Sequence, residues 1–320
     1  MANSHILISG GSGLIGRELT DGLLKLGHTV SILSRKPQEV SMPDQVNVIA
    51  WDARTLSGWE QEIEKTDAIV HLAGESIAGS GLFGLFPQRW TPYRKELISK
   101  SRIESGQVLS KAIEGAQNKP QVFIQASAIG YYGPSDAQII TESQSQGTDF
   151  AARVCQSWES SSAVIGVGVR RIVARFGLPL SIKGGFLPRV LFPYKMFVGG
   201  PIGNGKQYYS WIHMDDTVQS LIYLIENEEN SGIFNITAPN PVTNSEFGRK
   251  LGGTMKLPHW MPVPGLAFRA LFGEVADVVV NGQRVIPERL EKAGFSFRYP
   301  NIEKALQNTL SKKQLVTKSH

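Results

Sequence analysis

"HILISGGSGLIGREL", residues 5–19, is the stretch on which the fold turns. The apolar run from His5 to Ser9 reads as a buried strand. After it, Leu14, Ile15, Leu19, Leu23, Leu24 and Leu26 recur at helical spacing until Gly27 stops the helix. Between strand and helix lie Gly10, Gly11, Ser12, Gly13 and Gly16. Glycines there allow a tight turn and let the backbone approach a pyrophosphate with no Cβ in the way. The helix N-terminus then offers free N–H groups and a positive dipole end. An ordinary strand–helix turn can use glycine too, so the motif is judged by its neighbours.

Those neighbours alternate. Thr29–Leu33, Val46–Ile49, Ala68–Leu72, Val122–Ala126 and Arg170–Ala174 read as strands. Helical patterns lie at 61–65, from about 95 to 115 and around 149–163. In the longest, Leu97, Ile98, Ile103, Val108, Leu109 and Ile113 form the apolar stripe. Such alternation predicts an α/β Rossmann-type parallel sheet with helices on both faces. From about Gly177 the texture changes to Gly184-Gly185, Gly199-Gly200-Pro201 and a proline-rich stretch at 258–264. The expected division is a cofactor domain over 1–176, with segments returning near 210–237, and a small α+β substrate lobe over 177–310. The polar residues 311–320 read as a flexible tail.

The end of the second strand tells the dinucleotides apart. An acid there would accept hydrogen bonds from the ribose of NAD, but this chain has Ser34-Arg35-Lys36. A guanidinium matches a 2′-phosphate in a bidentate way and a neighbouring ammonium adds attraction, so NADP is the expected cofactor. The alternative is a solvated basic loop. Asp52, past the third strand, either meets the adenine edge or simply forms a turn.

Composition narrows the class. The chain has 320 residues, 41% hydrophobic and 19% charged, as a soluble globular protein does. The single cysteine, Cys155, excludes an internal disulfide and suits a reducing compartment. No uncharged apolar run reaches the ~18 residues of a membrane span. No basic leader precedes the first strand, so cytoplasm or an organelle matrix is expected. The formal charge of +5 is scattered apart from Lys312, Lys313 and Lys318, which argues against a nucleic-acid partner. The surplus reads as help in holding an anionic ligand, or as solubility. Six histidines without ligand spacing give no metal constellation.

Several stretches carry a resemblance. Ser9–Gly16, "HLAGE" at 71–75 and "WIHMDD" at 211–216 resemble an extended short-chain dehydrogenase/reductase. "SRIES" at 101–105, "GYYG" at 130–133, "CQSWE" at 155–159 and "GQRVIPERLEKAGFSFRYP" at 282–300 resemble its atypical epimerase branch, family 39U. The resemblance implies a Rossmann domain with cofactor contacts at 10–16, Ser34, Arg35, Leu72, Ala73 and Arg102, and Pro179 beside the nicotinamide; Lys36, Gly74 and Ser127 are further cofactor-binding candidates. It also implies a C-terminal substrate lobe. Some cyanobacterial and plastid members carry a cell-division-inhibitor label, which would imply a protein partner.

The chain departs from the extended family where its chemistry sits. The tyrosine and lysine of the usual Tyr-x-x-x-Lys pair fall at Ala151 and Cys155. The usual Ser/Thr falls near Ala128, with Ser127 one step early. Three readings stay open. Tyr131 or Tyr132 supplies the proton beside Arg175 or Arg102, or Cys155 reacts, or the chain binds NADP as a regulator without turnover. Cys155 also reads as a small buried hydrophobe, and the tyrosines as packing. Glu75, Arg175, Trp211 and Arg284 are the substrate-side candidates. Asp215 and Asp216 read as caps of a helix starting near Thr217, and His213 as satisfied within the fold. The expected function is an NADP(H)-dependent oxidoreductase or epimerase-like enzyme on a small carbonyl or sugar-like substrate.

Overall fold

A computed structural model describes residues 3–79, 86–135, 137–166 and 168–316. Its strands are β1 (His5–Ser9), β2 (Thr29–Ser34), β3 (Asn47–Ala50), β4 (Ala68–His71), β5 (Val122–Ala128), β6 (Ile139–Ile140) and β7 (Arg170–Phe176). There follow β8 (Leu178–Leu180), β9 (Tyr208–Tyr209), β10 (Trp211–His213), β11 (Gly232–Ile236), β12 (Val242–Thr243) and β13 (Arg284–Val285). The helices that matter below are α1 (Leu14–Lys25), α2 (Pro92–Gly115), α3 (Phe150–Ser160), α4 (Phe186–Lys195), α5 (Met214–Glu226) and α6 (Asn244–Met255).

Seven strands form one parallel sheet in the order β11-β7-β5-β4-β1-β2-β3. Period-two alternation sends Ile6, Ile8, Val30 and Ile32 to one core and Leu7, Leu33, Ile69 and Phe123 to the other. The first core takes Leu19 and Leu23 of α1 and Leu221 and Ile225 of α5, and the second takes Val108 and Leu109 of α2. Chain order reverses between β1 and β4. A ligand crevice opens at such a switch point, beyond the C-terminal strand ends.

The smaller lobe packs around a separate core of Leu187, Leu191, Tyr209, Trp211, Phe247 and Leu306. It meets the crevice directly: Lys183 Nζ pairs with Glu18 Oε1 at 2.6 Å, and Arg189 Nη2 donates to Gly79 O at 3.1 Å.

Two expectations need correction. The helix assigned to begin near Thr217 begins at Met214, and His213 caps it, accepting from the Asp215 amide through Nδ1 at 3.0 Å. Asp216 instead accepts the amides of Arg298 and Tyr299, pinning a distant segment. The last helix (Ile302–Val316) also runs into the stretch read as a tail. Residues 317–320 lie outside the described residues.

Candidate functional site

The turn after β1 is built by close approach. Gly10 holds φ +72°, and a Cβ on it would stand 2.8 Å from the Ala73 amide nitrogen. Gly13 is different. It is the N-cap of α1 at φ −75°, and a Cβ there would meet only Gly10 O, at 3.1 Å. The start of α1 has no side-chain cap and no acidic residue in its first turn. By contrast α2, α3 and α6 are capped by Thr91, Asp149 and Thr243. Uncapped N–H groups beside an open glycine, with Ser12 exposed and Leu14 and Ile15 half-buried, fit a pyrophosphate.

At the end of β2, Ser34 is buried and its Oγ accepts from the Lys36 amide at 3.2 Å. Lys36 reaches away to Glu39, 2.8 Å from its Nζ. Arg35 is exposed and has no ion pair among the described residues, so its guanidinium is free for a phosphate. Asp52 closes a turn. It accepts from the Arg54 and Thr55 amides at 2.8 Å and from Thr55 Oγ1 at 2.6 Å. Those hydrogen bonds, the Thr55 side chain foremost, hold its carboxyl down at about 2.

The exit of β4 carries a buried polar cluster. His71 Nδ1 lies 2.6 Å from Ser9 Oγ and its Nε2 3.3 Å from Ser105 Oγ. Burial, with Arg102 adding to it, pushes the ring down to about 3, so it is neutral. Leu72, Ala73 and Gly74 follow at the crevice, and the Leu72 amide donates to Ser9 O at 2.9 Å. Arg102, only 6% exposed, lies with its Cζ 4.8 Å from the Trp158 ring and close under Gly74. Burial brings it down to about 10, and it remains a cation. Glu75 is tied to Arg94, 2.8 Å away.

A second network sits at the end of β5. Ser127 Oγ donates to Glu159 Oε1 at 2.6 Å, and Arg175 donates to both Glu159 oxygens at 2.8 Å. Burial opposes the Arg175 charge, but the Glu159 carboxylate and the Tyr132 hydroxyl outweigh it and keep the guanidinium protonated. The Arg175 Cζ lies 3.4 Å from the Tyr131 ring centroid, and the two tyrosine rings meet edge-on at 5.5 Å. Their environments differ. Tyr132 is 5% exposed, donates to Asn235 Oδ1 at 2.7 Å, and is pushed up to about 12 by burial. It is a core residue whose hydroxyl is spent on Asn235. Tyr131 stays partly exposed. Cys155 is buried, and burial lifts its thiol to about 11.

This geometry has counterparts among known proteins. The sequence profile of the NAD dependent epimerase/dehydratase family matches residues 6–237, and a domain of unknown function, DUF1731, matches 263–309. The chain belongs to the NAD dependent epimerase/dehydratase family. It is 37% identical over 98% of its length to the whole of epimerase family protein YfhF of Bacillus subtilis. An epimerase family protein of Staphylococcus aureus MRSA252 is 36% identical, over 96% of this chain and 99% of its own. The human epimerase family protein SDR39U1, solved with NADPH, superposes with a TM-score of 0.84 at 31% identity, covering 95% of this chain and 98% of that one. A nucleoside-diphosphate sugar epimerase from Corynebacterium glutamicum gives a TM-score of 0.76 at 30% identity, covering 96% of this chain and 58% of that one. The resemblance to the 39U branch holds.

Within this epimerase-family chain the substrate-side candidates scatter. Trp211 is fully buried in the core of the lobe, and its Nε1 donates to Asn240 O at 3.0 Å. Pro179 pairs with Ile212 beside it. Arg284 lies over Tyr208, with its Nε buried and unpartnered among the described residues. No group of three or more His, Cys, Asp and Glu among the described residues could hold a metal ion, and no described helix is long and apolar enough to cross a membrane. Sequence reading did not assign a role to Glu159, although it lies one helical turn from Cys155 on α3. Asn235 gave no local signal, being 103 residues from Tyr132.

Proposed function

We propose that the chain is an NADP(H)-dependent oxidoreductase or epimerase-like enzyme acting on a small carbonyl or sugar-like substrate, with Tyr131 as proton donor. The observation that carries this reading is the Tyr131 ring stacked on the Arg175 guanidinium beside the Ser127–Glu159–Arg175 network. The other hydroxyl and the thiol are withdrawn into the core. When bound, NADPH would supply the hydride. Tyr131 would give its proton to the substrate oxygen, and Arg175 would favour the phenolate left behind. Glu159 would hold Arg175 in place. The bare start of α1 would receive the pyrophosphate, and Arg35 the 2′-phosphate.

The test is NADPH consumption across a panel of aldehydes, ketones and keto-sugars. Turnover by wild type and a loss of roughly 10²–10⁴-fold in Tyr131→Phe are expected. Activity preserved in that variant would remove Tyr131 from the chemistry. A second reading, an NADP(H)-binding regulator without turnover, is favoured by Ala151 and Cys155 standing at the tyrosine and lysine positions. Intact NADPH binding with no consumption on any substrate would select it. A division role stands only on the label some cyanobacterial and plastid members carry.

A further inference from the structure

Five consecutive carbonyls after β4 each accept a hydrogen bond from a different side chain or strand of chain. Arg102 Nη1 donates to Glu75 O at 2.9 Å, Arg94 Nη2 to Ser76 O, and Trp90 Nε1 to Ile77 O at 2.9 Å. The Gln88 amide donates to Ala78 O at 2.9 Å and Arg189 Nη2 to Gly79 O at 3.1 Å. Three of the five donors are guanidinium groups. Two come from α2 on the cofactor domain and one from α4 on the lobe, so they converge on this loop from both sides of the crevice.

With its carbonyls held this way, the loop leaves amides over. Glu75 N donates to Ser101 Oγ and Gly79 N to Ser76. The amides of Ser76, Ile77 and Ala78 have no acceptor among the described residues. Charge is left over as well. The Glu75 carboxylate answers Arg94, but neither Arg102 nor Arg189 has a carboxylate partner among the described residues. Arg102 is nearly buried, and the Nε groups of Arg94 and Arg189 are buried without partners. A cation held as far from water as Arg102 is costly unless an anion completes it, and Arg189 is half-buried with no carboxylate partner among the described residues. Arginine forks and free amides are also the groups that bind carboxylate and phosphate oxygens well.

We propose that the 75–79 loop, with Arg102 and Arg189, binds an anionic group of the substrate, a carboxylate or a phosphate. This narrows the substrate class of the function proposed above and rests on it for the word substrate. The site itself can be read independently.

The protein saturated with NADP⁺, which fills the cofactor's own phosphate positions, is titrated calorimetrically with malonate and with inorganic phosphate. One of them should bind at one site per chain, and Arg189→Met should weaken it at least tenfold while NADP⁺ affinity stays within twofold. Tighter malonate binding identifies a carboxylate, and tighter phosphate binding a phosphoryl group. Arg189→Gln keeps a donor for Gly79 O without the charge. It serves if the Met variant does not fold, with the same tenfold loss expected. The proposal is overturned if neither anion binds wild type, or if the folded variant binds as tightly as wild type. A loss appearing in NADP⁺ affinity instead would assign the arginine to the cofactor and overturn it too. Should wild type fail to bind NADP⁺, the proposed function falls. The same titrations on cofactor-free protein, read by their dependence on Arg189, still decide the anion site.

Discussion

Tyr131 and Tyr132 are neighbours in sequence and opposites in environment. Tyr132→Phe removes a buried hydrogen bond and leaves Asn235 Oδ1 without its donor, which should cost about 1–3 kcal/mol of stability, measured by urea unfolding. Tyr131→Phe should leave the unfolding midpoint nearly unchanged and lose turnover instead. Sequence alone identified the pair but not which member is buried, because the partner of Tyr132 comes from a strand far along the chain. His71 supplies a pH test. Its folded-state pKa is depressed to about 3, below the ordinary histidine value, so the unfolded chain takes up a proton first as pH falls. The stability this contributes is present above about pH 6.5 and declines towards pH 3, by about 1.4 kcal/mol per pH unit within that window. Urea midpoints between pH 7 and 4 should show this slope in wild type and a shallower one in His71→Gln. Equal slopes would mean that other groups control the acid response.

At the scale of elements, the strand–turn–helix at the start of the chain was legible because every signal for it is local. Apolar runs mark the strands, helical spacing marks α1, and glycines mark the turn. The two constraints on that turn, its backbone conformation and its room for a ligand, separate experimentally. Gly10→Ala places a side chain at positive φ and against the exit of β4, costing about 1–2 kcal/mol from conformation alone and more from the contact. Gly13→Ala meets one carbonyl only, so its thermal midpoint should fall less while dinucleotide affinity drops more than tenfold. Parallel melting and binding curves for both variants check this, and the reverse ranking would remove Gly13 from the cradle. The start of α5 was misread for a related reason. Aspartates are common caps, but here a histidine ring reaches the Asp215 amide while Asp216 holds the chain at Arg298 and Tyr299. That long-range tie has no signature in the local sequence.

For the whole molecule, the change of texture near Gly177 reads as the start of a smaller lobe, but how the chain before it meets the chain after it is not legible in the sequence. Lys183 with Glu18 and Arg189 with Gly79 join residues 165 and 110 positions apart, beyond the reach of periodicity or motif. The cofactor end is the reverse case, since Ser34-Arg35 was read directly from the end of a strand, and in the structure Ser34 is buried while Arg35 stands exposed. On it rests the central claim, that the crevice between β1 and β4 takes NADP(H) in preference to NAD(H). Calorimetric titration of wild type and Arg35→Asp with NADP⁺ and NAD⁺ tests it most directly. Wild type should prefer NADP⁺. The variant should lose roughly 1.5–3 kcal/mol of NADP⁺ affinity, the worth of a hydrogen bond to a charged group, with little change for NAD⁺. A wild type that prefers NAD⁺, or an Arg35→Asp variant that binds NADP⁺ as wild type does, would contradict the account.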